Sequence, residues 1–172
     1  MKTLISAGVL ALLATSAMAE DWTGGYIGGG LGYADVNLSA GLAGGNNGTM
    51  GLHAGYNYDY GEWVIGGEVE YDWTSIGVAG GVSTLDNLTR LKFKLGYDFG
   101  PTLVYAVAGG AWAYTDNRGD DSGWLAGVGL GYEVSPQWMI SGEVLYHDFS
   151  NFNGSGVDVD ATSFNLRASY RF

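Results

Sequence analysis

The last nine residues, Phe164 to Phe172, read FNLRASYRF, with apolar or small residues alternating strictly with polar ones. A period of two puts the two sets on opposite faces of an extended strand. The pattern recurs upstream. Trp138, Ile140, Val144 and Tyr146 alternate with Ser141, Glu143 and His147. Trp124, Ala126, Val128, Leu130 and Tyr132 alternate with Gly127, Gly129, Gly131 and Glu133. Leu91, Phe93, Leu95 and Tyr97 oppose Arg90, Lys92 and Lys94, and Trp63, Ile65, Val69, Tyr71 and Trp73 oppose Glu68, Glu70 and Asp72. Met50, Leu52, Ala54, Tyr56 and Tyr58 oppose His53 and Asn57. Two more segments, 22–34 and 103–114, are strand-like but apolar or glycine on both faces. In these, Ile27, Leu31 and Tyr33, and Tyr105 and Val107, are expected to lie on the outer apolar face. Eight strands result.

The connections alternate in length. Asp59–Glu62, Asp98–Pro101 and Val134–Gln137 have turn compositions. The stretches 35–48, 74–86, 115–122 and 148–160 are longer and rich in Gly, Asn, Asp and Ser, as loops are. Short turns at one end and long loops at the other are how outer-membrane barrels are built, with turns in the periplasm and loops outside. A soluble β-sandwich has no reason to segregate loop length in this way. The predicted fold is therefore all-β: an eight-stranded antiparallel up-and-down transmembrane β-barrel.

Charge decides which face meets lipid. Apart from Lys2 and Arg118, every basic residue falls on the polar face of a strand: Arg90, Lys92, Lys94, Arg167 and Arg171. Glu68, Glu70, Asp72, Glu133 and Glu143 share that face and balance them. An enclosed lumen demands such balance, because an unpaired buried charge is expensive. These ten residues are the predicted lumen network. The acids of β-strand three are expected to face Arg90, Lys92 and Lys94 on the next strand. Arg167 and Arg171 are expected to pair with Glu143 and, across the lumen, with the other acids. Aromatic residues gather at both strand ends: Trp63, Tyr97, Tyr105, Tyr132, Trp138, Tyr170 and Phe172 beside the turns, and Tyr33, Tyr71, Trp73, Trp124, Tyr146 and Phe164 beside the loops. Two belts of amphipathic rings mark two lipid–water interfaces.

The N-terminus changes the picture of destination. Lys2, the apolar run LISAGVLALLATS and Ala17-Met18-Ala19 form a secretory signal pattern, with cleavage expected before Glu20. Residues 1–19 are thus expected to be removed, leaving 20–172 as the barrel. No apolar run after that approaches the ~20 residues of a spanning helix. The chain has 31 Gly, 2 Pro and no Cys, which excludes a helical bundle and disulfide staples. A net charge of −11 makes nucleic-acid binding a poor fit.

At this point the chain resembles the small eight-stranded outer-membrane barrels of Gram-negative bacteria, the opacity-type surface antigens of the OmpA-like superfamily. The resemblance covers everything after the signal and rests on WTGGYIGGGLGYA, the DFGP turn, the ending ASYRF and the strand count. It implies that Tyr170 and Phe172 form the C-terminal signal read by the barrel-assembly machinery. It also implies outer-membrane lipid and lipopolysaccharide as surroundings, and a monomer.

Catalytic and cofactor chemistry find little support. His147 and Ser150 stand three apart, so in a strand they point oppositely, unlike the His and Ser of barrel lipid A deacylases. His53 and His147 are the only histidines, too few for a zinc site. Asp116, Asp120, Asp121, Asp158 and Asp160 lack the spacing of a calcium-binding loop. GGGLG is followed by no helix pattern and is no dinucleotide fingerprint. No metal, cofactor or enzymatic activity is expected. The expected role is structural and surface-interacting, with a narrow solute channel as the alternative and lipid modification further behind.

Overall fold

The computed structural model describes residues 21–38, 45–78, 83–115, 121–150 and 158–172. Eight strands follow in chain order: β1 (Gly24–Leu38), β2 (Gly45–Asp59), β3 (Trp63–Val78), β4 (Ser83–Asp98), β5 (Thr102–Thr115), β6 (Asp121–Ser135), β7 (Trp138–Phe149) and β8 (Val159–Arg171). Each pairs antiparallel with its neighbours, and β8 closes on β1. Closure leaves no strand edge unpaired, the condition for crossing a bilayer with strands.

Burial follows the parity of the sequence. Glu68, Glu70 and Asp72 point in, while Val69, Tyr71 and Trp73 point out. The outer wall is apolar and uncovered: Leu31 is 66% exposed and Phe93 64%. An exposed apolar surface of this extent has lipid as its natural solvent. Ring pairs line its two margins. Trp63–Tyr97 and Trp138–Tyr170 meet edge-on, with centroids 5.4 and 5.5 Å apart, beside the turns. Tyr71–Trp73 and Trp124–Tyr146 lie at 5.0 and 5.8 Å beside the loops.

The tight turns keep their expected places, and their chemistry repeats. The Asp59 carboxylate accepts from the Gly61 amide and the Asp98 carboxylate from the Gly100 amide, each at 2.6 Å. Both glycines have positive φ, 101° and 76°, which side-chain-bearing residues rarely adopt.

Two expectations need correction. Tyr105 and Val107 face the lumen, each nearly inaccessible, and Val104, Trp112 and Tyr114 form the outer face of β5 instead. Tyr105 stands opposite Gly96 of β4 and Gly129 of β6. A Cβ on Gly129 would collide with its ring, so these glycines make the space it fills. The strands also run further into the expected loops, with 35–38, 45–48, 83–86 and 159–160 all in ladders. Backbone pairing needs no bilayer. Beyond the belt the outer face is wetted, so in β1 the alternation changes sense, with Asp35 and Asn37 outside and Ala34 and Val36 buried inside.

Candidate functional site in the barrel lumen

The lumen is layered. Trp22, immediately before β1, is fully buried at the turn end, where Val64, Leu103 and Met139 join it in the core. Its indole Nε1 donates to Asp98 Oδ1 at 3.2 Å and to the Gly100 carbonyl at 3.1 Å. Its backbone amide donates to Asp59 Oδ2 at 3.1 Å, and the Arg171 guanidinium lies 5.3 Å from its ring centroid. The residues that shape two turns thus also hold one aromatic floor. On β4, β6 and β7 the other part of the same core contains Leu88, Leu125, Leu145 and Phe149.

Charge fills the middle. The register sets Glu68 opposite Lys92 and Glu70 opposite Arg90, so one hairpin supplies both signs on one face. Lys92 Nζ is the hub, 2.5 Å from Glu68, 2.6 Å from Glu70 and 2.9 Å from Glu143 on the far wall. Arg90 bonds Glu70 at 3.1 Å and Asp72 at 2.7 Å. Lys94 bonds Glu68 at 2.6 Å. Arg167 of β8 reaches Glu68 at 2.6 Å and also pairs with Glu143. Four acids and four bases therefore neutralise one another from β3, β4, β7 and β8. Each has oxygen or nitrogen partners, the condition under which enclosed charge is tolerable.

Two phenols complete the cluster. Tyr26 OH donates to Glu68 Oε2 at 2.7 Å, and Tyr105 OH donates to Glu143 Oε1 at 2.8 Å. The Lys94 ammonium stands 4.9 and 5.3 Å from their ring centroids. The sequence reading missed both phenols, along with Trp22. The available signal was geometric. Across the tight Asp98–Pro101 turn, Asp98 pairs with Leu103, so Tyr105 must share a face with Gly96 and Lys94.

Glu133 and Arg171 do not join this cluster. They pair with each other nearer the turn end, and Arg171 also donates to the Asp21 carbonyl at 2.5 Å. Arg171 thus meets Glu133, and not Glu143, because the barrel separates the two levels. Tyr170 and Phe172 lie on the outer face at the closing strand. There the Phe172 amide donates to the Gly25 carbonyl at 3.0 Å.

The oxygens of Glu68, Glu70 and Glu143 come within 4.8 Å of one another, a spacing suited to a metal ion. The Lys92 ammonium touches all three, so a side chain already supplies the positive charge there. His147 is buried on the lumen side, whereas Ser150 is exposed and donates to Asp148 Oδ1 at 2.8 Å. His53 Nε2 and Ser169 Oγ lie 2.7 Å apart in the lumen. Asp160 accepts from Tyr146 OH at 2.8 Å at the loop end. Asp116 and Asp120 lie outside the described residues.

Comparison with known proteins agrees with this architecture. The model of the outer membrane protein beta-barrel domain matches residues 5–172. The 31 kDa outer-membrane immunogenic protein of Brucella melitensis is 29% identical, over 99% of this chain and 95% of its own length. Among solved structures, Neisserial surface protein A superposes with a TM-score of 0.61 at 18% identity, covering 87% of this chain and 98% of that one. The attachment invasion locus protein Ail of Yersinia pestis gives 0.59 at 17%, covering 87% and 99%. At such identities the two structures speak for the fold alone. The family match spans nearly the whole chain, and the protein belongs to the outer membrane protein beta-barrel domain family.

Proposed function

We propose that this outer-membrane protein acts through its presence in the membrane and its exposed loop end, as a structural and surface-interacting barrel, with no transport or catalytic activity. The observation that carries this reading is the filled lumen. Lys92 has no accessible surface, and Arg90, Arg167, Glu68 and Glu143 have almost none. An eight-stranded barrel is just wide enough for side chains to fill. Balanced long side chains across that width leave no path for a solute. The Brucella relative, named an outer-membrane immunogenic protein, supports a surface-interacting reading.

The remaining parts of the reading follow from it. The signal segment is removed before Glu20, and Tyr170 and Phe172 present the barrel to the assembly machinery. The barrel sits as a monomer among lipopolysaccharide. Among the described residues no lysine or arginine is exposed, while Asp35 and Asp158 at the loop end are. Divalent cations therefore bridge the rim acids to lipopolysaccharide phosphates. Single-channel recording of the refolded protein in planar bilayers tests the central claim. A silent bilayer is expected. Large, long-lived conductance steps would overturn the structural reading in favour of a channel. Fatty acid released from lipid A, and lost in His147→Ala, would overturn it in favour of an enzyme.

A further inference from the structure

Among the described residues, the lipid-facing wall carries a groove at the closing strands. Where β8, β1 and β2 meet, a groove of about 600 Å³ opens on the outer surface. Gly29 and Ala168, paired across the β1–β8 ladder, form its floor. Leu31 and Leu166, paired one step further along the same ladder, rise beside them. Trp73 of β3 and Ile140 of β7 stand at its two ends. From β3 to β7 the groove crosses four strand spacings, ~19 Å at ~4.8 Å each. That is slightly more than one leaflet's share of a ~30 Å hydrocarbon core.

Gly29 has no steric reason to be glycine; Gly67 and Gly142 share this on the outer face, but neither lines the groove. The neighbouring Gly28 and Gly30 face the lumen, where a Cβ would run into the His53 ring and the Arg167 side chain. Gly29 faces outward. A Cβ there would meet nothing nearer than the Gly51 carbonyl at 3.4 Å and Leu52 Cδ2 at 3.5 Å. Neither its neighbours nor its backbone demand a glycine. Glycine weakens a strand and often marks where a ligand approaches the backbone closely. The groove is continuous with the lipid-facing band, and Trp73 places one end of it in the aromatic belt beside the loops. The occupant is therefore hydrocarbon, and it enters from the outer leaflet.

We propose that this groove seats one acyl chain of a lipid A molecule, laid across β8, β1 and β2 against the bare backbone of Gly29. The chain gains close contact with a concave wall that the rest of the convex barrel lacks. The saccharide remains at the level of Trp73. A second copy of the barrel is a worse occupant, because a rigid convex wall reaches the floor only through a narrow apolar ridge, whereas a flexible acyl chain needs none.

Native mass spectrometry of the full refolded barrel, released from detergent with added hexa-acylated lipid A or phosphatidylethanolamine, tests this. Gly29→Leu fills the floor from outside. Ala108→Leu places the same bulk on β5, outside the groove. Gel mobility before and after heating checks that each variant is folded. The wild type and Ala108→Leu should each keep one lipid A at collision energies where Gly29→Leu keeps less than a tenth as much. Phosphatidylethanolamine should be lost early from all three. Equal retention by wild type and Gly29→Leu overturns the proposal. So does equal retention of the two lipids, and so does loss of a dimer peak in place of a lipid peak.

Discussion

At the scale of single residues the decisive atom is Lys92 Nζ, which holds three carboxylates from two walls. Lys92→Met keeps much of the volume and removes the charge. The three acids then face one another in a closed space. Losing one member of an enclosed ion network costs about 3–5 kcal/mol, far more than a surface pair. Urea unfolding from detergent micelles should show a loss of that order. The same substitution leaves oxygen ligands spaced for a hard cation. Millimolar calcium during refolding should restore part of the lost stability in Lys92→Met and leave the wild type unchanged. A smaller effect is expected at Tyr105, whose hydroxyl donates to a charged acceptor. Tyr105→Phe should cost about 1.5–3 kcal/mol, and Tyr132→Phe on the exposed outer wall should cost little in the same assay.

At the scale of elements, the strands that carry charge were legible and the strand without charge was not. Hydrocarbon does not tolerate ions, so Glu68 to Asp72 and Arg90 to Lys94 betray the inner parity of β3 and β4 at once. Between its terminal threonines β5 offers only Val, Ala, Gly, Leu and aromatic rings on both faces. There composition says nothing, and hairpin register must decide. It sets Ala106 outward and Val107 inward. Cysteines placed at these two positions should separate cleanly in vesicles carrying a nitroxide-labelled or maleimide-bearing lipid. Ala106→Cys should report contact with the acyl phase, and Val107→Cys should stay silent. The reverse pattern would refute the register. The upper ends of the strands were hidden for a different reason. In β1 the alternation inverts above Tyr33, where Asp35 and Asn37 face out and Ala34 and Val36 are buried inside, and in β2 Asn46 and Asn47 are polar neighbours that give no alternation at all. Trp22 was hidden because it precedes its strand, and a floor is a tertiary feature with no period to reveal it.

At the scale of the whole molecule the barrel encloses its bases together with matching acids and leaves the surplus acids at its rims. Among the described residues its cations lie inside or, for Arg171, against the turn-end floor, each with an acid partner, while other acids such as Asp35, Glu62 and Asp158 occupy the solvated rims. Two barriers consequently stand in series along the axis: the Trp22 floor at the turn end and the Lys92-centred cluster above it. The floor depends on one ring held by Asp59, Asp98 and Gly100. The cluster depends on salt bridges that cross the lumen. If each seals the barrel by itself, removing one leaves the other closed. Trp22→Ala should therefore remain silent in planar bilayers, although its hairpins lose a shared anchor and unfold at lower urea. Removing the cross-lumen pair with Glu143→Ala and Arg167→Ala should also remain silent while Trp22 is present. Combining all three substitutions should produce small, brief conductance steps that favour cations, because Glu68, Glu70 and Asp72 still balance Lys92, Lys94 and Arg90 in the lumen while the rims are acidic. Steps from Trp22→Ala alone would mean that the charged layer is porous and that the ring is the only gate. A silent triple variant that still shows the heat-dependent gel shift of a folded barrel would mean that Leu103, Tyr105, Met139 and Leu145 close the bore without help from either layer.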